Sequence, residues 1–325
     1  MRIFLLSLLM FLTGRSAFAQ VLSGAITAPD VTGRMLVLMA TKGSAHFAVD
    51  SVRLSAMGTF EFAAAGMLGA GFYQLALNDS DRVDLILDGK ERAVALAFSG
   101  KPLQSHVTVL QSPENQRLWK YKSISRETQA VLETVAREKS VLDPLDYRRI
   151  LSLDSIERNA VQAKERMLQQ LVLEDPDSYF AKVVKTGAAI DRSIPLGPLV
   201  MADVFDFSDP SLLRSSIYDK AVMAFLQSVN VVSEEQMSNA ADTLLSLASR
   251  NADCETYMIE HLVDLFSAYG PQSTLQHLVD DYLAGERPRI PMSQELRSKV
   301  DRLLQVSIGA TGPDVLLKDT LGTLT

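Results

Sequence analysis

"SHVTVLQSPENQRL", Ser105–Leu118, is the stretch in which the chain changes its period. The first half is one more short apolar run of the kind that precedes it. Ser112 then reads as an N-cap and Pro113 as a first helical residue, a position where proline's missing N–H costs nothing. Beyond them the apolar residues recur at helical spacing. A period of 2 gives way to a period of 3.6 at this point, and the two sides predict different structures.

Upstream, from Val21 to about Leu110, "MLVLMA", "HFAVDSVRL", "GTFEFAA", "GFYQLAL", "RVDLILD" and "RAVALAFS" are short runs bounded by Gly, Asp, Asn or Ser. Val52, Leu54, Phe60 and Phe62 fall on one face across a turn at Ala56-Met57-Gly58. Asn78-Asp79-Ser80-Asp81 and Asp88-Gly89 read as hairpin turns. Seven or eight strands at such spacing point to an antiparallel sandwich or barrel.

Downstream, two long helices broken at Asp143-Pro144 extend to about Leu173. Leu153, Ile156, Ala160, Ala163, Met167 and Leu171 form a candidate seam on the second, as in an antiparallel helical pair. Further helices are predicted over 176–187, 209–229, 234–249, 253–268, 272–284 and 293–305, with "DRSIPLGPL" (191–199) as the main break. The expected class is α+β and multidomain: an N-terminal antiparallel β-sandwich over 20–110, then an all-α helical region over 111–307.

The start of the chain, "MRIFLLSLLMFLTGRSAFAQ", has a basic residue, a ten-residue apolar run and Ala17-Phe18-Ala19, the pattern of a cleaved signal peptide over 1–19. The run is too short to span a bilayer, so the expected product is exported, periplasmic and soluble, with no membrane span after cleavage. The whole chain carries a net charge of −7. Losing Arg2 and Arg15 makes it more negative, and no basic face stands out. Nucleic acid and anionic membranes are therefore poor partners.

Chemistry-bearing motifs are few. Cys254 is the only cysteine, so no intrachain disulfide can form. It lies on "DCETYMIEHLVDLFSAY" with Met258, Leu262, Leu265, Phe266 and Tyr269 at helical spacing, among acidic neighbours, and reads as a core residue rather than a reactive thiol. "GMLGAGF" (Gly66–Phe72) has glycines in the wrong order for a dinucleotide loop and precedes a strand instead of a helix. His46 and His106 fall on predicted strands. His261 with Asp264, and His277 with Asp280 and Asp281, sit at helical spacing and read as surface pairs, since a metal needs three or four convergent ligands. No catalytic, cofactor-binding or metal residue is assigned, and no cofactor is expected.

The tail, "SIGATGPDVLLKDTLGTLT" (Ser307–Thr325), places a bend at Gly309, Gly312 and Pro313, a strand at Val315-Leu316-Leu317 and a turn at Asp319 to Gly322. Together with "VDSVRLSAMGTFEF", "GFYQLALNDSDRVDLILDGKE" and "FDFSDPSLLRSSIYDKAVMAFL" (205–226), it resembles the TlpA-like thiol-disulfide oxidoreductase (redoxin) family of bacterial envelope proteins. That resemblance implies a signal peptide, an N-terminal β-sandwich domain of unknown function, a helical segment and a thioredoxin-like domain. Gly309, Pro313, Asp314, Asp319 and Gly322 match the opening of the last, with Gly312 in place of the usual alanine, so that 308–325 would be its first hairpin. The family's Cys-x-x-Cys and cis-proline loop have no counterpart in the 325 residues. The resemblance therefore implies a non-catalytic region of an oxidoreductase, whose partners are envelope proteins or its own thioredoxin-like domain. A free-standing envelope binding module and an unrelated exported hydrolase, with a site between sandwich and helices, are the alternatives.

Overall fold

The computed structural model describes residues 20–63, 65, 68–229, 233–284 and 289–305. The signal-peptide reading of 1–19, part of the glycine-rich loop and the hairpin expected over 308–325 lie outside the described residues. The chain is α+β and divides into two compact units. The first comprises residues 1–40 and 47–180, the second residues 41–46 and 181–325.

Eight strands are described: β1 (Val21–Ile26), β2 (Met35–Lys42), β3 (Ala45–Arg53), β4 (Thr59–Phe62), β5 (Gly71–Ala76), β6 (Arg82–Leu87), β7 (Ala93–Phe98) and β8 (Val107–Gln111). They form two four-stranded sheets, ordered β4-β1-β7-β8 and β3-β2-β5-β6. Alternate residues of both sheets, among them Leu22, Phe62 and Leu96 of one and Leu38, Tyr73 and Leu85 of the other, belong to a single buried apolar cluster. Each such side chain contributes roughly 1.5–3 kcal/mol of transfer free energy. Leu54, Phe60 and Phe62 are buried together, with Val52 packed against them. Gly58 sits at φ +72 in the turn between them, and a side chain there would meet the Ile26 carbonyl.

The arrangement is not antiparallel throughout. β1 pairs antiparallel with β4 but parallel with β7, in register from Val21–Ala93 to Ile26–Phe98. Alternation along a strand tells which side chains point inward; it carries no information about the direction of a neighbour. Asp88-Gly89 is accordingly a turn but not a hairpin, because β6 and β7 belong to different sheets. Asn78 does close a hairpin: its Oδ1 accepts the N–H groups of Ser80 and Asp81, and β5 and β6 pair on either side of it.

Ser112 caps α1 (Pro113–Ser140) by accepting the Asn115 N–H. α2 (Tyr147–Glu174) follows, packed along α1. Both helices belong to the same unit as the sheets, so the change of period at Ser112 marks a change of element and not of unit. The expected seam on α2 holds only in part. Leu153 and Leu171 are buried, whereas Ile156 is 43% exposed and Ala163 is exposed. Polar pairs take over between the buried ends: Lys139 lies 2.7 Å from both Asp154 and Glu157. Those two hydrogen-bonded carboxylates hold the Lys139 ammonium above its ordinary pKa.

The second unit is helical. α3 (Tyr179–Ser193) leads into a 3-10 turn at Ile194–Leu196, and then come α4 (Pro198–Val204), α5 (Pro210–Leu213), α6 (Ile217–Ser228), α7 (Glu234–Ala248), α8 (Ala252–Tyr269), α9 (Gln272–Leu278) and α10 (Gln294–Gln305). The segment expected as one helix over 209–229 is two. Asp209 caps α5, with Pro210 first inside it, and the Ser215 hydroxyl bonds back to the Leu212 carbonyl, a competition that ends short helices. Phe205, Phe207, Tyr218 and Phe225 form a chain of edge-to-face ring contacts in this core.

Candidate functional site

Cys254 comes first, because thiol chemistry is what the sequence resemblance implies. Asn251 caps α8 through the N–H groups of Asp253 and Cys254, which places the thiol in the first turn. An exposed thiol at a helix N-terminus would be acidified. Here the side chain is fully buried, beside the Tyr218 hydroxyl. Burial dominates, pushing the thiol pKa up to about 12. Tyr218 donates to the Phe207 carbonyl at 2.6 Å. Of the companions expected on this face, Met258, Leu262 and Phe266 are buried, but Tyr269, at the helix end, is exposed.

A polar cluster of the second unit surrounds Asp219. Its carboxylate accepts the Tyr257 hydroxyl at 2.5 Å and the Ser44 N–H at 2.8 Å, with His261 Nδ1 at 3.9 Å. The Tyr257 and His261 rings stack at 5.7 Å and 15°. Lys42 sits 5.3 Å from the Tyr257 ring centroid and 4.0 Å from Glu260. Gly43, at φ +61, donates its N–H to the Leu213 carbonyl. A Cβ there would lie 1.5 Å from the Tyr257 hydroxyl oxygen, so only glycine allows this approach. Burial and the Asp219 charge keep the Tyr257 hydroxyl protonated. Each carboxylate oxygen thus accepts one hydrogen bond, while His261 Nε2 is buried without a partner among the described residues. The cluster acts as a clasp on the Thr41–His46 turn.

His261 does not pair with Asp264, which binds Lys299 instead. His277 does pair with Asp281, at 3.1 Å, and its other ring nitrogen lies 2.8 Å from Asp242. The Tyr282 hydroxyl also donates to Asp242, at 2.8 Å, and burial raises its pKa to about 12. Asp242, on α7, is 35 residues from His277, too far for helical spacing to reveal. His106 bonds the Pro102 carbonyl ahead of β8, and His46 lies on β3. Among the described residues no group of three or more His, Cys, Asp or Glu side chains is placed to hold a metal, and no helix is long and apolar enough to cross a membrane.

The first unit holds a network that sequence reading missed. Glu91, between β6 and β7, accepts the Ser112 hydroxyl at 2.5 Å and the Glu114 N–H at 2.8 Å. Glu114 in turn accepts the N–H groups of Tyr179 and Phe180, at 2.7 and 3.2 Å. Each carboxylate thus sits on the first turn of a helix, α1 and α3 respectively, where the helix dipole favours negative charge. Arg117 reaches Asp175 at 3.0 Å and Glu114 at 3.8 Å. Burial nevertheless wins, and both Glu91 and Glu114 have pKa values raised above the ordinary carboxylate value. Asn115 completes the junction. Its amide accepts the Ile86 N–H and donates to the Ile86 carbonyl, both at 2.8 Å, covering the free edge of β6 as another strand would.

No family model, no curated protein and no solved structure matches the chain.

Proposed function

We propose that this chain is the non-catalytic, exported region of an envelope thiol-disulfide oxidoreductase. Its two sheets act as a β-sandwich accessory module, and its helical unit precedes a thioredoxin-like domain that opens at 308–325. The state of Cys254 carries the non-catalytic half of the reading. Thiol–disulfide exchange needs a thiolate with access to the substrate disulfide, and a fully buried thiol with a pKa near 12 supplies neither. The family half rests on residue patterns: Asp209-Pro210 with Leu212-Leu213, and the Gly309, Pro313, Asp314, Asp319 and Gly322 set. Envelope proteins, or the thioredoxin-like domain itself, are the partners in this reading.

Two measurements test it. The coding frame beyond Thr325 should continue into a Cys-x-x-Cys within about 30 residues, roughly the reach of the next strand and loop; a stop codon, or a frame without that pair, overturns the family half. A thiol reagent should label the folded chain only at the rate of unfolding, and the purified chain should not reduce a disulfide substrate. Rapid labelling, or reduction, overturns the non-catalytic half. A free-standing binding module of the envelope is the second reading, favoured by an open pocket in the first unit lined by Gln104, Trp119, Lys122, Ser125, Arg126 and Gln129.

A further inference from the structure

Gln20 is the residue that the expected signal-peptidase cut after Ala19 leaves first in the mature chain. Chain termini are normally exposed and loosely held, yet Gln20 is 1% exposed. It stands directly before β1, an inner strand with β4 on one side and β7 on the other. The Val21 N–H next to it is already bonded to the Arg92 carbonyl, at 3.2 Å. The Gln20 side-chain amide is only half satisfied. Its Oε1 accepts the Gly89 N–H from the turn between β6 and β7, at 3.3 Å. Its Nε2 is buried without a partner among the described residues, a rare state for a buried donor.

Cleavage adds a second demand at the same place. It creates an α-ammonium on Gln20, and a charge costs more free energy to bury than an amide does. Two badly placed nitrogens then meet on one residue, and one reaction within that residue removes both. The α-amine, in its neutral form, attacks the side-chain Cδ and forms an N–Cδ bond, which closes a five-membered lactam. The Cδ–Nε2 bond breaks, and Nε2 leaves as ammonia, carrying the proton that the amine gives up. No oxidant, reductant or co-reactant is needed. The oxygen acceptor on Cδ is kept, the unpaired donor is lost and the terminus becomes uncharged. We propose that the mature chain begins with pyroglutamate formed from Gln20. The inference rests on the export part of the reading above, through the cut after Ala19, and not on the thioredoxin-like domain.

The chain expressed with its own leader, and purified from the exported fraction, tests this by intact mass and N-terminal sequencing. The mass should be that of residues 20–325 less one ammonia. Stepwise N-terminal degradation should fail until a pyroglutamyl peptidase removes the first residue, and should then read Val21. Q20N, whose side chain is one methylene too short to close that ring, should keep its full mass and a readable terminus. Material caught early with Gln20 still open should melt at a higher temperature as it converts. A chain cut after Ala19 that keeps an open Gln20 on storage overturns the lactam and leaves the export reading standing. A retained leader, or a cut elsewhere, overturns both. The same loss of ammonia from Q20N overturns the assignment to Gln20, and a melting temperature that does not rise on conversion overturns the argument from burial.

Discussion

The interiors of the two units solve the same problem with opposite chemistry. The second unit packs its buried core through neutral contacts, the Phe205–Phe207–Tyr218–Phe225 rings and a buried thiol, and keeps its ion pairs nearer the surface. The first joins a helical pair to a sheet through buried charge. Glu114 is 2% exposed and Arg117 9%, and between them they serve the first turn of α3 and the end of α2. A core of rings tolerates imperfect placement, because dispersion is non-directional and spread over many contacts. A buried ionic network does not, because each member left alone keeps its full desolvation cost. The junction of sheet and helices is therefore the more brittle of the two interiors.

The largest effect is expected where that brittleness is greatest. Glu114→Ala strips the acceptor from two helix N–H groups and leaves the Arg117 guanidinium short of a partner. It should cost about 3–5 kcal/mol in denaturant unfolding of the first unit, the usual penalty for breaking a buried ion pair from one side. A loss below 1 kcal/mol would mean that the network is solvated and the contrast false. Gly43→Ala probes the second unit at the Asp219 clasp. It forces a side chain into the Tyr257–Asp219 contact at a left-handed φ, and should cost about 1–3 kcal/mol.

Acid sharpens the comparison, since the two units should respond in opposite directions. Glu91 and Glu114 have raised pKa values, burial being the main cause. The stability linked to their protonation is fully present below the ordinary value of 4.5 and is lost as pH rises through their folded values. Mild acidification from neutral pH should thus stabilise the parent relative to Glu91→Gln, by a margin that flattens below 4.5. Burial also pushes Asp209 upward, but the Lys182 ammonium and the Ser211 hydrogen bonds overcome it and hold its pKa below the ordinary 3.8. Its contribution is present above that value and is lost as pH falls through the depressed one. Parallel pH–stability profiles for Glu91→Gln, Asp209→Asn and the parent would remove the distinction. The smallest effect belongs to the tip of the α1–α2 hairpin. Arg149 pairs with Glu138 there, with both side chains more than 40% exposed, and Glu138→Gln should shift stability by no more than about 1 kcal/mol.

Local signals were legible wherever a residue acts on its own neighbours. Ser112-Pro113 starts a helix, Asp209-Pro210 caps one, Asn78 closes a hairpin and Gly58 turns a chain. The setting of Cys254 could be read from its helical neighbours in the same way. Each of these depends on groups within about four residues, the range over which a capping oxygen or an i,i+4 contact reaches. Period 2 likewise placed the inward faces of the strands, and period 3.6 placed nearly every helix.

Tertiary structure alone decided the rest. The parallel pairing of β1 with β7 links residues 72 apart in sequence, from Val21 to Ala93, and no alternation pattern encodes which strand lies alongside or in what direction. Glu91 and Glu114 look like solvated surface residues because, apart from Arg117 beside Glu114, the groups they bond are far away in sequence. Their partners, α1 and α3, arrive only once the sheet is covered. His277 finds Asp242 for the same reason. Hydrogen bonds and charges act over a few ångströms in space, and only the burial of whole apolar faces brings such distant residues within that reach.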